Sequence, residues 1–173
     1  MKADVAAYGK VMGAGIAIGA VAGRADIIGL AAPSNRENPN FAYVNGTFHG
    51  NPLGAAAGIA MLTELARPGF YKALHERSQQ LRSESQKILD RHGIEAIVAG
   101  EGSLWQILFR KTQPRNYADL LSSNMDRVKK WDAFAMKNGI YALPGVRRFM
   151  SAAITEEDVE KFCEVLDATC RSE

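Results

Sequence analysis

The feature that most limits how this chain can fold is the glycine spacing within residues 11–32, a stretch of small and apolar side chains. Five glycines interrupt it, and a glycine in a helix interior costs about 0.5–1 kcal/mol relative to alanine. Arg24 and Asp26 break the run before it reaches the roughly 20 apolar residues that a membrane-spanning helix needs. The pattern therefore predicts neither a spanning helix nor a targeting segment. It favours turns and a short buried strand over residues 16–22.

Charge and cysteine content narrow the possible partners. The 173 residues carry 21 Lys and Arg against 19 Asp and Glu, a formal net charge of +2. Such a balance argues against a nucleic-acid binder driven by bulk charge. Cys163 and Cys170 lack metal-ligand spacing and cannot form a disulfide framework, which indicates reduced thiols in a cytoplasmic protein. We therefore expect no nucleic-acid, membrane or metal partner.

The helix and strand signals indicate an α/β chain with two regions, residues 1–66 and residues 67–173. Asn51 and Pro52 are typical of a helix start, and the side chains of residues 53–66 are small and apolar nearly all round. This pattern predicts a helix buried on several sides. The pattern of the second region predicts a small α+β domain. Helices are expected over 70–92 and 120–137, and a capping box at Thr155 and Asp158 predicts the start of a last helix. Strands are expected over 94–99, 104–109, 140–143 and 147–154.

Lys10 is the first candidate for chemistry. It follows Gly9 and precedes the apolar, glycine-rich run. A lysine desolvated in such a pocket would disfavour its ammonium form, and a neutral amine is a nucleophile that can form a Schiff base. The alternative is a solvated lysine in a turn, which composition alone favours.

Residues 45–52 form the second candidate site, where a loop meets a predicted helix start. Amides, a hydroxyl and the helix dipole together favour an anion there. The alternative is a plain turn and helix cap. That alternative explains Gly46 and the helix start but leaves Thr47 and His49 unexplained.

The two segments taken together resemble a known family. Residues 8–24 read YGKVMGAGIAIGAVAGR, and residues 46–53 read GTFHGNPL. This pair resembles the class III aminotransferases among the fold-type I pyridoxal-phosphate enzymes, especially their glutamate-1-semialdehyde 2,1-aminomutase branch. The resemblance implies the carboxyl-terminal part of such a transferase. Residues 1–66 would be a remnant of the large cofactor-binding domain with its linking helix, and residues 67–173 the small α+β domain.

The resemblance also implies roles for individual residues. Lys10 would hold pyridoxal 5'-phosphate covalently and, once freed, move a proton between substrate and cofactor. Thr47, with Gly46 beside it, would reach the cofactor phosphate of a neighbouring subunit, which implies a homodimer. His49 could touch phosphate or substrate, or could simply pack in its loop. Arg147 is a candidate for a substrate carboxylate, with a surface arginine on an edge strand as the alternative.

The departures from the family pattern shape the functional expectation. Ala14 and Ala17 replace a glycine and a proline that the family usually has in this segment. The cis phosphate turn, the aromatic residue stacked on the ring and the aspartate that pairs with the pyridinium nitrogen have no counterpart here. We therefore expect a fragment of an aminotransferase or aminomutase acting on a small amino acid, incompetent alone or paired with a complementary chain. The alternative is a non-catalytic dimerisation or interaction module. Glutamate semialdehyde, an ω-amino acid and a β-amino acid stay open as substrates.

Overall fold

The computed structural model describes residues 2–145 and 147–173. The chain divides into two compact units, the first ending at Phe70 and the second beginning at Tyr71. No helix in the described part is both long enough and apolar enough to cross a membrane.

The first unit is built on a short hairpin. Strand β1 (Val5–Tyr8) pairs antiparallel with β2 (Ala20–Gly23), and Tyr8 faces Ala20. A 3-10 turn, Lys10–Gly13, lies in the connection between the strands. Helix α1 (Ala25–Ile28), two further 3-10 turns and helix α2 (Pro52–Leu65) follow.

Helix α2 lies close to the connection that carries Lys10. A Cβ on Gly54 would lie 3.1 Å from the carbonyl oxygen of Ala17, and one on Gly58 would lie 3.3 Å from Cδ1 of Ile18. These two glycines are the buried residues of α2. Small residues at these positions let the helix approach the backbone more closely than a larger side chain would allow.

Two burial predictions for this unit are wrong. The strand expected over residues 16–22 is Ala20–Gly23, and it is largely exposed. On α2, Leu53 is 71% exposed and Ile59 is 68% exposed, so the helix is not buried on several sides. A two-stranded hairpin and one helix have too little surface to cover an all-round apolar helix.

The second unit contains a three-stranded antiparallel sheet in the order β3-β4-β5. The strands are β3 (Ile97–Glu101), β4 (Leu104–Leu108) and β5 (Arg148–Phe149). Its helices are α3 (Phe70–Arg91), α4 (Tyr117–Leu121), α5 (Met125–Lys137) and α6 (Glu156–Arg171). The apolar faces of α3, α5 and α6 and the sheet enclose one core, formed by Leu81, Ile88, Leu89, Ala96, Trp105, Ile107, Trp131, Met150, Val159, Leu166 and Cys170.

Most helices of the second unit follow the sequence pattern, whereas the late strands do not. The helix expected over 120–137 is divided into α4 and α5, because the Asn124 side chain accepts a hydrogen bond from Arg127 N–H and caps the start of α5. Residues 140–143 form no strand, and the strand expected over 147–154 is limited to Arg148–Phe149. The capping box at Thr155 is confirmed.

Candidate active site

Lys10 lies in a turn with an unusual backbone. Its φ is +55°, and Ala14, at the other end of the 3-10 turn, has φ +49°. The left-handed region disfavours side chains with a Cβ, and such strain is concentrated at functional sites. Lys10 is exposed, which agrees with the solvated alternative and not with a desolvated pocket.

Ile18 fixes the turn that carries Lys10. A Cβ on Gly13 would lie 2.6 Å from Cγ2 of Ile18, and Gly54 and Gly58 of α2 approach the same side chain. Ile16 N–H also donates to Gly13 O at 2.8 Å, closing the turn. The position of Lys10 is therefore determined by contacts within the first unit.

Three predicted site residues line one cleft of about 500 Å³ in the first unit. Gly46, Thr47 and His49 lie on its wall, and all three are exposed. Asn45 orders the loop, because its Oδ1 accepts from Gly46 N–H at 2.8 Å while its amide donates to the Tyr43 hydroxyl at 2.9 Å. Lys10 does not belong to the described residues that line this cleft.

The cleft opens at the start of α2 and suits an anion. Asn51 caps the helix, its Oδ1 accepting from Leu53 N–H at 2.9 Å, and it lines the cleft. The positive end of the helix dipole favours negative charge there. The backbone amides of Thr47 and Phe48 donate to no acceptor within the described residues. Those amides, the Thr47 hydroxyl and the His49 ring form a donor set that fits a phosphate.

Arg147 lies in the second unit, on a separate cleft of about 540 Å³. It precedes β5, is exposed, and its Cζ lies 5.7 Å from the centre of the Phe149 ring. Trp105 and Phe162 also line this cleft and pack edge to face with ring centres 5.2 Å apart. The cleft therefore combines aromatic surface with charged side chains of both signs, because Arg148, Lys161 and Asp158 line it as well.

Sequence reasoning missed a buried ion pair beside Arg147. Arg148 pairs with Asp132 of α5, and the two side chains are 12% and 1% exposed. The Arg148 guanidinium carbon also lies 5.0 Å from the centre of the Trp105 ring. Burial lowers the pKa of Arg148 to about 10, which leaves it protonated at neutral pH. The sequence carries no local signal for this pair, because its two residues are 16 positions apart.

The described residues contain no group of three or more His, Cys, Asp or Glu side chains that could hold a metal ion. The two cysteines are free.

Comparison with known sequences decides the family. Residues 1–170 match the aminotransferase class-III profile. This chain belongs to the class III aminotransferase family. It is 33% identical over 170 residues to a glutamate-1-semialdehyde 2,1-aminomutase from Desulfatibacillum aliphaticivorans, covering 97% of this chain and 39% of the relative.

Solved structures share the fold. An omega-transaminase from Sphaerobacter thermophilus superposes with a TM-score of 0.88 at 29% identity, covering 97% of this chain and 38% of that one. A transaminase with PLP bound gives a TM-score of 0.83 at 26% identity, covering 99% of this chain and 38% of that one. The α/β fold expected from the family resemblance is confirmed. The chain spans about two fifths of the length of the relatives that it matches.

Proposed function

We propose that this chain forms the lysine-bearing part of a pyridoxal-phosphate-dependent aminotransferase or aminomutase, with Lys10 as the cofactor-binding residue. The left-handed backbone of Lys10 carries the proposal, because only surrounding contacts maintain so unfavourable a conformation. Membership of the class III aminotransferase family and the likeness to a transaminase with PLP bound support the choice of cofactor.

Each site residue has a separate task in this proposal. When bound, pyridoxal 5'-phosphate supplies the electron sink that makes deprotonation beside an amine accessible. Lys10 holds the cofactor, and its freed Nζ takes the proton from the substrate Cα and returns it. The Thr47 hydroxyl, with Gly46 beside it, binds phosphate, and His49 on the wall of the same cleft assists. Arg147 binds the carboxylate of a small amino acid.

The division between Lys10 and the Thr47 cleft supports an active site shared between subunits. Lys10 lies on the turn beside the hairpin, whereas Gly46 and Thr47 line a cleft to which it does not contribute among the described residues. A homodimer, or pairing with a complementary chain, lets the lysine of one subunit and the threonine of the other meet at one cofactor. Because the chain spans two fifths of its relatives, we expect little or no turnover from it alone.

The substrate follows from the relatives only as a class. One relative is a glutamate-1-semialdehyde 2,1-aminomutase and another is an omega-transaminase. Both names imply a small amine-bearing substrate, and we extend that class to this chain.

Cofactor trapping tests the proposal. The chain is titrated with pyridoxal phosphate, reduced with borohydride and mapped by peptide mass spectrometry. Lys10→Ala and Thr47→Ala are compared with Lys87→Ala, a control lysine whose side chain is 71% exposed on α3. We expect saturable labelling at Lys10, lost in Lys10→Ala, weakened in Thr47→Ala and unchanged in the control. Scattered labelling that Lys10→Ala leaves unaltered would overturn the proposal.

Exposed apolar residues on α2 favour a second candidate function, a non-catalytic dimerisation or interaction module. Leu53, Ile59 and Leu62 are 71%, 68% and 49% exposed on one helix. Ile59 and Leu62 are three residues apart and share one face of the helix, and exposed apolar patches of this kind mark interaction surfaces. Size-exclusion chromatography should show self-association that Ile59→Lys abolishes and Thr63→Lys weakens less. A monomer at all concentrations would rule this candidate out.

A further inference from the structure

One buried carboxylate holds the segment that carries Arg147 on both sides. Asp132 of α5 is 0% exposed. Its Oδ2 accepts a hydrogen bond from Gly145 N–H at 2.7 Å, and its Oδ1 accepts one from the Arg148 guanidinium. Arg147 lies between these two anchored residues in the chain.

The contacts of Asp132 with Gly145 and Arg148 are costly to break because the charges of Asp132 and Arg148 are buried. A buried carboxylate without a partner is costly, so Asp132 and Arg148 depend on each other. Gly145 has φ +72°, and a Cβ there would lie 3.0 Å from Cγ of Lys129. The backbone at Gly145 is thus held against α5 by the Asp132 bond and by this close approach.

Anchoring Arg148 fixes the backbone next to Arg147. Both arginines line the 540 Å³ cleft. Arg148 is paired with Asp132 and its side chain is 12% exposed, whereas Arg147 is exposed. Among the described residues the Arg147 guanidinium forms no ion pair, unlike Arg148 beside it, and its Cζ lies 5.7 Å from the centre of the Phe149 ring. It is therefore available to a ligand.

We infer that Asp132 is a positioning residue: it fixes the segment on either side of Arg147 so that the Arg147 guanidinium is presented to a carboxylate ligand in this cleft. The inference rests on the role proposed above for Arg147 and adds the residue that makes that role possible. Asp132 itself touches no ligand.

The cleft lining decides which probe to use. Trp105, Tyr141, Phe149 and Phe162 contribute aromatic surface to the cleft. Arg147, Arg148 and Lys161 add three cationic side chains to the lining, against the single carboxyl of Asp158 among the described lining residues. An aromatic carboxylate, 3-phenylpropanoate, therefore matches both the aromatic surface and the excess of positive charge. The corresponding alcohol, 3-phenylpropan-1-ol, keeps the aromatic body and lacks the charge, so it reports on the lining alone.

The test is a mutant cycle on the full chain, with binding followed by NMR through the Trp105 indole resonance. Arg147→Ala is measured in the wild-type background and again in Asp132→Asn. In wild type we expect Arg147→Ala to weaken 3-phenylpropanoate binding about tenfold, the loss of one charge-assisted contact. In Asp132→Asn, binding should already be weakened, and Arg147→Ala should weaken it little further. Binding of the alcohol should stay the same throughout.

A second mutant background controls for the possibility that Asp132→Asn impairs folding. Asp132→Leu combined with Arg148→Met removes both buried charges, a replacement that proteins commonly tolerate. The effect of Arg147→Ala should be lost there too. Asp126→Asn, on an exposed carboxylate of the same helix, is the matched control and should keep the full tenfold effect.

The outcomes separate this inference from the proposed function. Equal effects of Arg147→Ala in the wild-type and Asp132 backgrounds would overturn the positioning role and leave the Arg147 role standing. No effect of Arg147→Ala in wild type, or no saturable binding of 3-phenylpropanoate, would overturn both. Neither result bears on cofactor trapping at Lys10.

Discussion

Gly13 and Ile18 are in contact across the turn that carries Lys10. A Cβ on Gly13 would lie 2.6 Å from Cγ2 of Ile18, closer than carbon atoms approach without displacement. The Cγ2 atom is bonded to the β-branched carbon and cannot swing away as the end of a long side chain could. A substitution at Gly13 must therefore move the backbone that positions Lys10.

We predict that Gly13→Ala destabilises the chain by about 1–3 kcal/mol through overpacking. Cofactor trapping at Lys10 should weaken in the same variant, because the turn shifts with its packing. The matched control is Gly29→Ala, where a Cβ meets no atom within 4 Å. It should be neutral or slightly stabilising, since alanine reduces the entropy of the unfolded chain. Urea unfolding checks both, and equal midpoints for the two variants would contradict the prediction.

The start of α6 offers a second prediction. Thr155 Oγ1 accepts from Asp158 N–H at 3.2 Å, and Asp158 Oδ2 accepts from Thr155 N–H at 2.8 Å. Thr155→Ala removes one of these reciprocal bonds and should cost about 1 kcal/mol. Glu160→Ala, on an exposed position further along the helix, should cost much less. Denaturant midpoints of the two variants give the comparison.

Local chemistry accounts for what the sequence predicted well. The start of α2 follows from Asn51 and Pro52, and the start of α6 from the capping box, because each signal acts within a few residues. The grouping of Gly46 and Thr47 follows in the same way, since they lie on one loop. The family motif led to Lys10, although its left-handed backbone could not have been predicted.

Long-range contacts account for what the sequence did not predict. Asp132 and Arg148 are 16 residues apart, and nothing near either residue indicates that they pair. Residues 140–143 have a strand-like composition, but no neighbouring strand pairs with them in the described part of the sheet. The exposure of Ile59 could not be predicted either. An apolar helix pattern predicts burial, but it does not show which element of the fold packs against the helix.

A third prediction concerns acid stability at the contact between α3 and α6. Hydrogen bonds from His92 and Arg91 lower the pKa of Asp167 below its ordinary value. His92 Nε2 lies 2.8 Å from Asp167 Oδ1, and Arg171 pairs with Oδ2 at 2.6 Å. A carboxyl with a lowered pKa in the folded state stabilises the fold above its unfolded pKa. That contribution is lost as the pH falls through the folded pKa.

Asp167→Asn should therefore unfold at lower urea than wild type at pH 7, and the gap should close as the pH falls below about 4, the ordinary range for Asp. Asp126→Asn, which alters a carboxyl that is 86% exposed, should show a much smaller gap. Urea midpoints measured from pH 2 to pH 7 test this. A gap for Asp167→Asn that stays constant over the whole range would contradict the electrostatic explanation.

The last prediction concerns the Cys170 thiol, which is 6% exposed on the inner face of α6. Burial, aided by the charges of Asp167 and Glu173, raises its pKa from 9.0 to about 11. Between these two values the unfolded chain loses a proton that the folded chain keeps. The free energy of unfolding therefore falls as the pH rises through this window.

Replacing the thiol should remove this pH dependence. Cys170→Ala should be less stable than wild type at pH 8, because a buried group is lost, and the difference should narrow between pH 9 and pH 11. Comparing the two proteins at each pH cancels the titration of lysines and tyrosines that they share. At pH 8 the folded wild type should also react slowly with a thiol reagent at Cys170, and urea should restore the rate of an exposed cysteine. Rapid labelling of Cys170 in the folded chain would show that the thiol is accessible, and the predicted slope should then be absent as well.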